Sequence, residues 1–320
     1  MIDTLSRDNQ GAGDLTGFRH EALFYAGPDE FLAATTRFVR DGLAAREAVM
    51  VALPTGHLEL LRGVLGPDAA RVVFADMLDV GRNPALMIPA WRRFVTLHVE
   101  AGRPVRGIGE PLWRGRRREE LVECQLHEEL VNLAFSGPPA WRLLCPYDVE
   151  SLDADVLLAA RRSHPHVHEA GRPQASKSFR SLPGSALLRA PLPEPTVNTD
   201  DLDFDSDSLS RVRTEVVRWS AGMLEPGRAA DLSLAVHEVA ANSIRHGGGS
   251  GRLRCWQQAE TFVCEVRDSG CIDRALVGRE MPPLDNEFGR GLWLANQLCD
   301  LVQVRSSADG TVVRLHLALA

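Results

Sequence analysis

The hydrophobic positions between residues 18 and 168 follow two alternating patterns. Four short apolar runs rich in β-branched residues are typical of buried strands and cover residues 47–54, 71–77, 104–111 and 141–148. Between them, apolar residues recur at helical spacing over residues 28–45, 57–66, 83–102 and 118–135. Strands that alternate with helices of this length predict βαβ units and a mostly parallel sheet.

The pattern changes in the second half of the chain. Residues 169–204 are rich in Pro, Ser and Gly and lack apolar periodicity, so we expect a linker in which only SALLRA (185–190) could dock. Beyond it, the pattern predicts two helices, a hairpin, a third helix and a final strand pair, over 206–223, 227–246, 251–268, 289–300 and 301–319. Helices and strands in blocks indicate an α+β sandwich. Residues 1–17 are polar, and we expect them to be disordered.

Composition narrows the function. A chain of 320 residues suggests two domains, and a net charge of −7 argues against direct nucleic-acid binding. The basic run WRGRRREE (113–120) turns acidic at once, so we expect a solvated helix start there. The six cysteines form no CxxC pair, which favours reduced, mostly buried thiols in a cytoplasmic protein. No stretch approaches 18 apolar residues and the N-terminus lacks an apolar core, so we expect neither a membrane span nor a signal peptide.

Three clusters in the second half carry chemistry. Glu238 and Asn242 lie one turn apart on one face of a helix, where an amide oxygen suits Mg²⁺ and a carboxylate can accept a proton. Asp268 ends an apolar strand and can accept a hydrogen bond from an exocyclic amine, while Gly270 lets a flat base approach. The third cluster is a glycine-rich turn at a helix start, FGRGL (288–292), which presents backbone N–H groups to a phosphate.

Together these clusters carry a family resemblance. HEVAANSIRHG (237–247) resembles the N box, VRDSG (266–270) the G1 box and GRGLWLANQLCD (289–300) the G2 box of the histidine-kinase-like ATPases, the Bergerat or GHKL fold. The match covers residues 205–320 and is similar to the anti-sigma-factor serine/threonine kinases. It implies a GHKL α+β sandwich that binds ATP and Mg²⁺ and phosphorylates a STAS-domain anti-anti-sigma protein, with a sigma factor as a further partner. Such domains often dimerise through the sheet, which leaves a homodimer open.

The resemblance also implies roles for residues. Glu238 would be the catalytic base and Asn242 the Mg²⁺ ligand. ATP contacts would come from the following positions: Asn242, His246, Gly247, Asp268, Gly270, Gly289, Arg290, Gly291, Leu292 and Thr311. Ile272 replaces the second G1 glycine, which favours slightly a non-catalytic module that binds nucleotide or a partner and acts by sequestration. A histidine kinase fragment with a separate phosphoacceptor is a third alternative.

The first half resembles a second family. HEALFYAGPDEF (20–31), RGIGEPLW (106–113), HEELVNLAF (127–135) and CPYD (145–148) resemble the MEDS sensory domain over residues 18–168, which implies a RecA-like core and an unknown small-molecule ligand. LPTGHLELL (53–61) lacks the P-loop lysine, so we expect no nucleotide hydrolysis there. Candidate pocket residues lie near strand ends: His20, Glu21, Tyr25, Glu110, Trp113, Glu128, Cys145 and Tyr147. Alternatively, Trp113 and Tyr147 belong to the core and His20 is a capped surface residue. We expect His57, His98 and His127 to be ordinary surface groups.

Overall fold

The computed structural model describes residues 17–169, 172–180, 186–282 and 290–319. The expected disorder of residues 1–17 therefore concerns residues that lie, apart from Gly17, outside the described part, and Gly289 lies outside it too. The described residues form one seven-stranded sheet and one five-stranded sheet, each with its own helices.

The first sheet is mostly parallel, as predicted. Its strands run in the order β3-β2-β4-β5-β1-β6-β7, and only the β6–β7 pair is antiparallel. The strands are β1 Arg19–Tyr25, β2 Ala48–Leu53, β3 Val73–Asp76, β4 Val105–Gly109, β5 Trp141–Asp148, β6 His166–Glu169 and β7 Arg172–Ala175. The helices are α1 Gly27–Ala44, α2 Thr55–Leu65, α3 Met77–Val80, α4 Met87–Glu100, α5 Arg118–Ala134 and α6 Ala154–Ser163.

Two apolar clusters cover the two faces of this sheet. Every residue of β2 is buried, which explains why its sequence is continuously hydrophobic rather than alternating. On one face, Trp91 of α4 lies directly over β4, where a Cβ atom on Gly107 would come within 2.5 Å of the indole. The glycine thus lets helix and sheet pack closely.

The second sheet is antiparallel, in the order β11-β12-β10-β9-β8, and confirms the predicted α+β class. Its strands are β8 Asp200–Asp205, β9 Ser250–Gln258, β10 Thr261–Asp268, β11 Leu301–Ser307 and β12 Gly310–Ala318. Helices α7 Leu209–Trp219, α8 Pro226–His246 and α9 Arg290–Leu298 cover one face. Alternate residues of β10 face these helices, as Phe262 and Val266 do, whereas Thr261 and Glu265 face the other way.

The sequence pattern missed several elements. The central strand β1 and helix α6 were not among the predicted elements. The expected linker 169–204 contains β7 and most of β8. A short 3₁₀ turn at Ala186–Leu188 packs Leu187 and Leu188 against an apolar cluster of the first sheet, so part of the segment SALLRA does dock. Strand β8 was hidden by its aspartates, although Leu202 and Phe204 alternate inward as in any edge strand.

Candidate functional site

A cavity of about 320 Å³ opens between α8, the end of β10 and the start of α9. Its volume is within the range of small-molecule sites. Seven of the residues expected to contact ATP line it: Asn242, His246, Gly247, Asp268, Gly270, Leu292 and Thr311. The three sequence clusters therefore meet at one place, because α8 packs against both α9 and β10.

Asp268 is fixed at the edge of this cavity by two donors. The Ser243 hydroxyl, on α8, donates to one carboxylate oxygen at 2.6 Å. The Gly270 N–H donates to the other oxygen at 2.8 Å. Because each carboxylate oxygen can accept two hydrogen bonds, both keep capacity for a further donor from the cavity. Ser243 was not among the sequence candidates.

Two glycines allow the close approach of these elements. A Cβ atom on Gly270 would lie 2.7 Å from the carbonyl oxygen of His246, and one on Gly291 would lie 2.5 Å from the amide nitrogen of Asn242. Replacing Gly270 would push the end of β10 away from α8, whereas replacing Gly291 would require the Asn242 side chain to move. The glycines singled out in the sequence thus have a packing reason independent of any ligand.

The loop after Gly270 is held by a chain of hydroxyl groups. Thr311 on β12 donates to the Gly270 carbonyl oxygen at 2.9 Å, and its oxygen lies 2.9 Å from the Ser306 hydroxyl. Ser306 in turn accepts the Ile272 N–H at 2.8 Å. The φ angle of Ile272 is not positive, so this backbone does not need a glycine at 272.

The remaining candidates lie around the cavity. Glu238 is partly buried on α8, one turn before Asn242, and is not among the lining residues. Arg228, near the start of the same helix, binds Asp300 at 2.6 Å. Arg290 is exposed at the first position of α9.

The eight candidate pocket residues of the first half divide into separate groups. His20, Glu128, Cys145 and Tyr147 are buried together, so the alternative of a surface His20 is wrong. Glu21 lies elsewhere: although it is buried, its bonds to His168 at 2.7 Å and to Arg142 at 2.8 Å bring its pKa down to about 2.

A further group lies near the end of β4. Tyr25 donates to Glu110 at 3.2 Å, and His57 lies 2.6 Å from the other Glu110 oxygen. This hydrogen bond raises the pKa of His57, while burial raises the pKa of Glu110. His57 is therefore not an ordinary surface group, and His127 is fully buried, which also contradicts the expectation.

The basic run before α5 is not simply solvated. The Arg116 guanidinium is buried over the Trp113 ring, 3.7 Å from its centroid, and donates to the carbonyl oxygens of Pro111 and Gly81. Trp113 is partly buried against an apolar core of the first sheet, and Tyr147 belongs to that core, which agrees with the alternative of core residues. Helix α5 itself begins at Arg118, as predicted.

Comparison with known families agrees with both resemblances. Residues 19–165 match the model described as MEDS, the methanogen/methylotroph, DcmR sensory domain. Residues 202–317 match the model of the histidine kinase-like ATPase domain. The chain has a MEDS domain followed by a histidine kinase-like ATPase domain.

Comparisons with curated proteins and with solved structures do not extend this assignment. No curated protein matches the chain. The crystal structure of the RsbU and RsbW domains of Rv1364c from Mycobacterium tuberculosis matches at 19% identity and a TM-score of 0.30, over 38% of this chain and 33% of that chain. The match thus spans a third of the crystallised chain and carries no conclusion on function. Within the described residues, no helix is long and apolar enough to cross a membrane.

The segment that follows Asp268 in the ATPase domain docks on the MEDS domain. We call residues 271–282 the lid segment. Its Ala275 and Leu276 pack against the apolar core of the MEDS domain. The buried Arg279 guanidinium lies 3.0 Å from Glu123 of α5. Outside these contacts, Glu280 pairs with Arg92 at 2.6 Å.

The face of the second sheet that lies opposite its helices is also covered from within the chain. Glu123 binds Arg305 of β11 at 2.6 Å, and Arg117 donates to Thr261 of β10. The interdomain segment contributes Pro193, whose carbonyl oxygen accepts from Arg314 at 2.8 Å. A homodimer through this face therefore stays a prediction that requires these contacts to open.

The turn at Ala186–Leu188 touches two cavities. Ala186 and Leu187 line a cavity of about 440 Å³ in the MEDS domain, beside Glu128 and Tyr147. Leu188 lines another, of about 500 Å³, together with residues 271–274 of the lid segment. The turn thus lies between the interior of the MEDS domain and the loop that follows Asp268.

Proposed function

We propose that the chain is a signal-responsive anti-sigma regulator, in which the ATPase domain binds Mg-ATP and phosphorylates a serine or threonine of a STAS-domain anti-anti-sigma partner. The observation that carries this proposal is the convergence of Asp268, Asn242 and Thr311 on one cavity at the junction of α8, β10 and α9. The MEDS domain is the sensor, and it acts on the ATPase domain through the lid segment.

The cavity suits an adenine nucleotide. Asp268 is held by Ser243 and Gly270 so that its remaining lone pairs can accept the exocyclic amine of adenine. Thr311 holds the Gly270 carbonyl in place on the same side. Helix α9 begins at Arg290, its Leu292 lines the cavity, and the N-terminus of a helix attracts phosphate oxygens through its dipole and backbone N–H groups.

Asn242 is suited to act as a ligand of the magnesium ion. Its side chain lines the cavity, and its amide nitrogen lies on the Gly291 side. Within the described part of the chain its oxygen has one long contact, 3.4 Å from Arg245, so a hard oxygen donor is available at this point. Magnesium prefers such donors together with phosphate oxygens, and when bound it neutralises charge on the phosphates.

Glu238 is the base in this proposal. As the partner hydroxyl oxygen forms its bond to the γ-phosphorus, the bond to the β–γ bridging oxygen breaks and ADP leaves. The hydroxyl proton passes to the Glu238 carboxylate. General base catalysis of this kind contributes about 10²–10⁴-fold to a rate, and positioning supplies most of the remainder.

Phosphoryl transfer to STAS-domain proteins tests the function. The full chain is incubated with γ-labelled ATP, Mg²⁺ and a panel of STAS-domain proteins, and acid-stable phosphoserine or phosphothreonine is measured. Glu238→Gln should lower transfer by about 10²–10⁴-fold while nucleotide still binds. The control is Glu225→Gln, which changes an exposed carboxylate at the far end of the same helix and should leave transfer unchanged.

The second candidate is a non-catalytic module that binds nucleotide or a partner and acts by sequestration. The ion pair between Arg279 of the lid segment and Glu123 of the MEDS domain favours it, because it holds the segment after Asp268 in place. Nucleotide or partner binding by the wild type, without transfer to any member of the panel, would favour sequestration over the kinase. Acid-labile label on a partner would instead indicate phosphohistidine.

A further inference from the structure

Four buried side chains of the MEDS domain meet at one point. They come from β1, α5, β5 and the residue after α6, and they are His20, Glu128, Cys145 and His164. One ligand atom from each lies within 4.8 Å of all the others. Residues 20 and 145 share a face of neighbouring strands, since His20 pairs with Leu143 in the register.

The distances within this cluster are those of a coordination shell. The Nε2 atoms of His20 and His164 lie 2.9 Å and 3.2 Å from the same oxygen of Glu128. The Cys145 sulfur lies 3.4 Å from Nε2 of His20. Two ligand atoms each about 2.1 Å from a tetrahedral zinc ion lie about 3.4 Å apart, so small shifts suffice to surround an ion.

Each histidine is tied through its other ring nitrogen. Nδ1 of His164 lies 2.8 Å from the carbonyl oxygen of Ala160. A carbonyl can only accept, so Nδ1 carries a hydrogen, and in the tautomer with Nδ1–H alone the lone pair of Nε2 points into the cluster.

The tautomer of His20 follows from Asn132. The amide nitrogen of Asn132 donates to the carbonyl oxygens of Glu128 at 3.1 Å and Ser163 at 2.7 Å. Its oxygen therefore faces His20, 3.1 Å from Nδ1, and accepts a hydrogen from that nitrogen. Histidines that bind metals usually donate their second ring N–H to such an acceptor.

This arrangement leaves lone pairs facing one another. Among the described residues, neither Glu128 oxygen nor Nε2 of His164 has a hydrogen-bond partner of suitable geometry, although all are buried. Buried polar atoms without partners are costly, and a shared cation would satisfy all of them.

We propose that the MEDS domain binds one divalent transition-metal ion, preferably Zn²⁺, through these four side chains. Two imidazoles, a thiolate and a carboxylate are ligands that zinc takes in tetrahedral sites. The thiolate and carboxylate together carry the two negative charges that balance the ion. On binding, the sulfur–metal bond forms as the Cys145 thiol releases its proton to water.

The site also borders a ligand cavity. Glu128 lines the cavity of about 440 Å³ that also contacts Leu187 of the interdomain turn. A bound metal would therefore lie beside the cavity wall, where a small molecule with a donor atom could bind it as a fifth ligand or by displacing Glu128. This metal proposal stands on the MEDS domain alone and does not depend on the kinase activity.

Metal analysis of the purified full chain tests the proposal. After dialysis against Zn²⁺ and removal of loosely bound ions, we expect about one zinc ion per chain. Replacement by Co²⁺ should give the visible spectrum of a tetrahedral site together with a thiolate-to-cobalt charge-transfer band. Cys145→Ser should lose that band, whereas Cys124→Ser, at a buried thiol that donates to Pro111 instead, should keep it.

A second variant keeps the test valid if Cys145→Ser fails to fold. Asn132→Leu removes the acceptor of His20 without touching a ligand, and it should weaken zinc affinity by about 10–100-fold. Circular dichroism of each variant checks the fold. Wild-type protein that retains neither zinc nor cobalt, or a charge-transfer band that survives Cys145→Ser in folded protein, would overturn the site and leave a proton-bridged cluster.

Discussion

Glu123 of the MEDS domain and Arg279 of the lid segment form a buried ion pair across the domain boundary, with 3.0 Å between nitrogen and oxygen. The second Glu123 oxygen binds Arg305 of the ATPase sheet at 2.6 Å. The Glu123 carboxylate therefore links the lid segment to strand β11 of the ATPase sheet. A signal that moves α5 would act on both contacts at once.

Removing this carboxylate charge should release the lid segment. Glu123→Gln leaves two buried guanidinium groups without their counter-charge, and loss of one partner of a buried pair costs about 3–5 kcal/mol. We expect faster amide hydrogen exchange across residues 271–282. The control, Asp41→Asn, removes an exposed carboxylate 3.9 Å from Arg37 and should change exchange little. Unchanged exchange in Glu123→Gln would mean that the pair does not hold the segment.

Cys271 offers a chemical probe of the cavity beside Asp268. It is the exposed cysteine, and the other five are buried. It also lines the cavity beside Asp268. One thiol should react rapidly with a thiol reagent in the native protein, and Cys271→Ser should remove that fast phase. Mg-ATP should slow the reaction of the wild type. Equal rates with and without nucleotide, at saturating concentration, would place the ligand elsewhere.

Acid should weaken the MEDS domain through Glu21. Glu21 is buried, but its bonds to His168 and Arg142 bring its pKa down to about 2, from 4.5. A depressed folded-state pKa stabilises the fold above the unfolded value, and this stabilisation is lost as pH falls from about 4.5 to about 2, at most about 3 kcal/mol.

Urea unfolding at pH 5 and pH 3 measures this effect. The midpoint of the wild type should fall more between the two pH values than that of Glu21→Gln, which cannot lose a charge at this position. The exposed pair of Asp41 and Arg37 again offers a control, since the urea midpoint of Asp41→Asn should change with pH as that of the wild type does. Parallel acid dependence in wild type and Glu21→Gln would show that another group governs the loss.

Local patterns in the sequence predicted residues that line one cavity, and nucleotide binding there stays a prediction. Glu238 and Asn242 share a helix face because of their spacing, and Asp268 ends a strand whose alternation is clear. The pattern did not show what holds Asp268. Ser243 looks like any small residue of a helix, and its contact with Asp268 depends on how α8 crosses β10.

Contacts between distant residues escaped prediction. Glu123 and Arg279 are 156 positions apart and belong to different domains, so no periodicity links them. His20 and Glu21 were predicted for one pocket, but neighbouring residues of a strand point to opposite faces, and they belong to separate groups. His164 was missed because a single histidine after a helix carries no pattern of its own.

Mg-ATP binding, measured by calorimetry on the full chain, tests the central claim most directly. The wild type should bind, and Asp268→Asn should bind about 10–100-fold more weakly, because a hydrogen bond to a charged group contributes about 1.5–3 kcal/mol. The control is Asp309→Asn, which changes an exposed residue in the turn between β11 and β12. It should bind Mg-ATP as the wild type does. No heat of binding in the folded wild type, or equal affinity in Asp268→Asn, would contradict the nucleotide site.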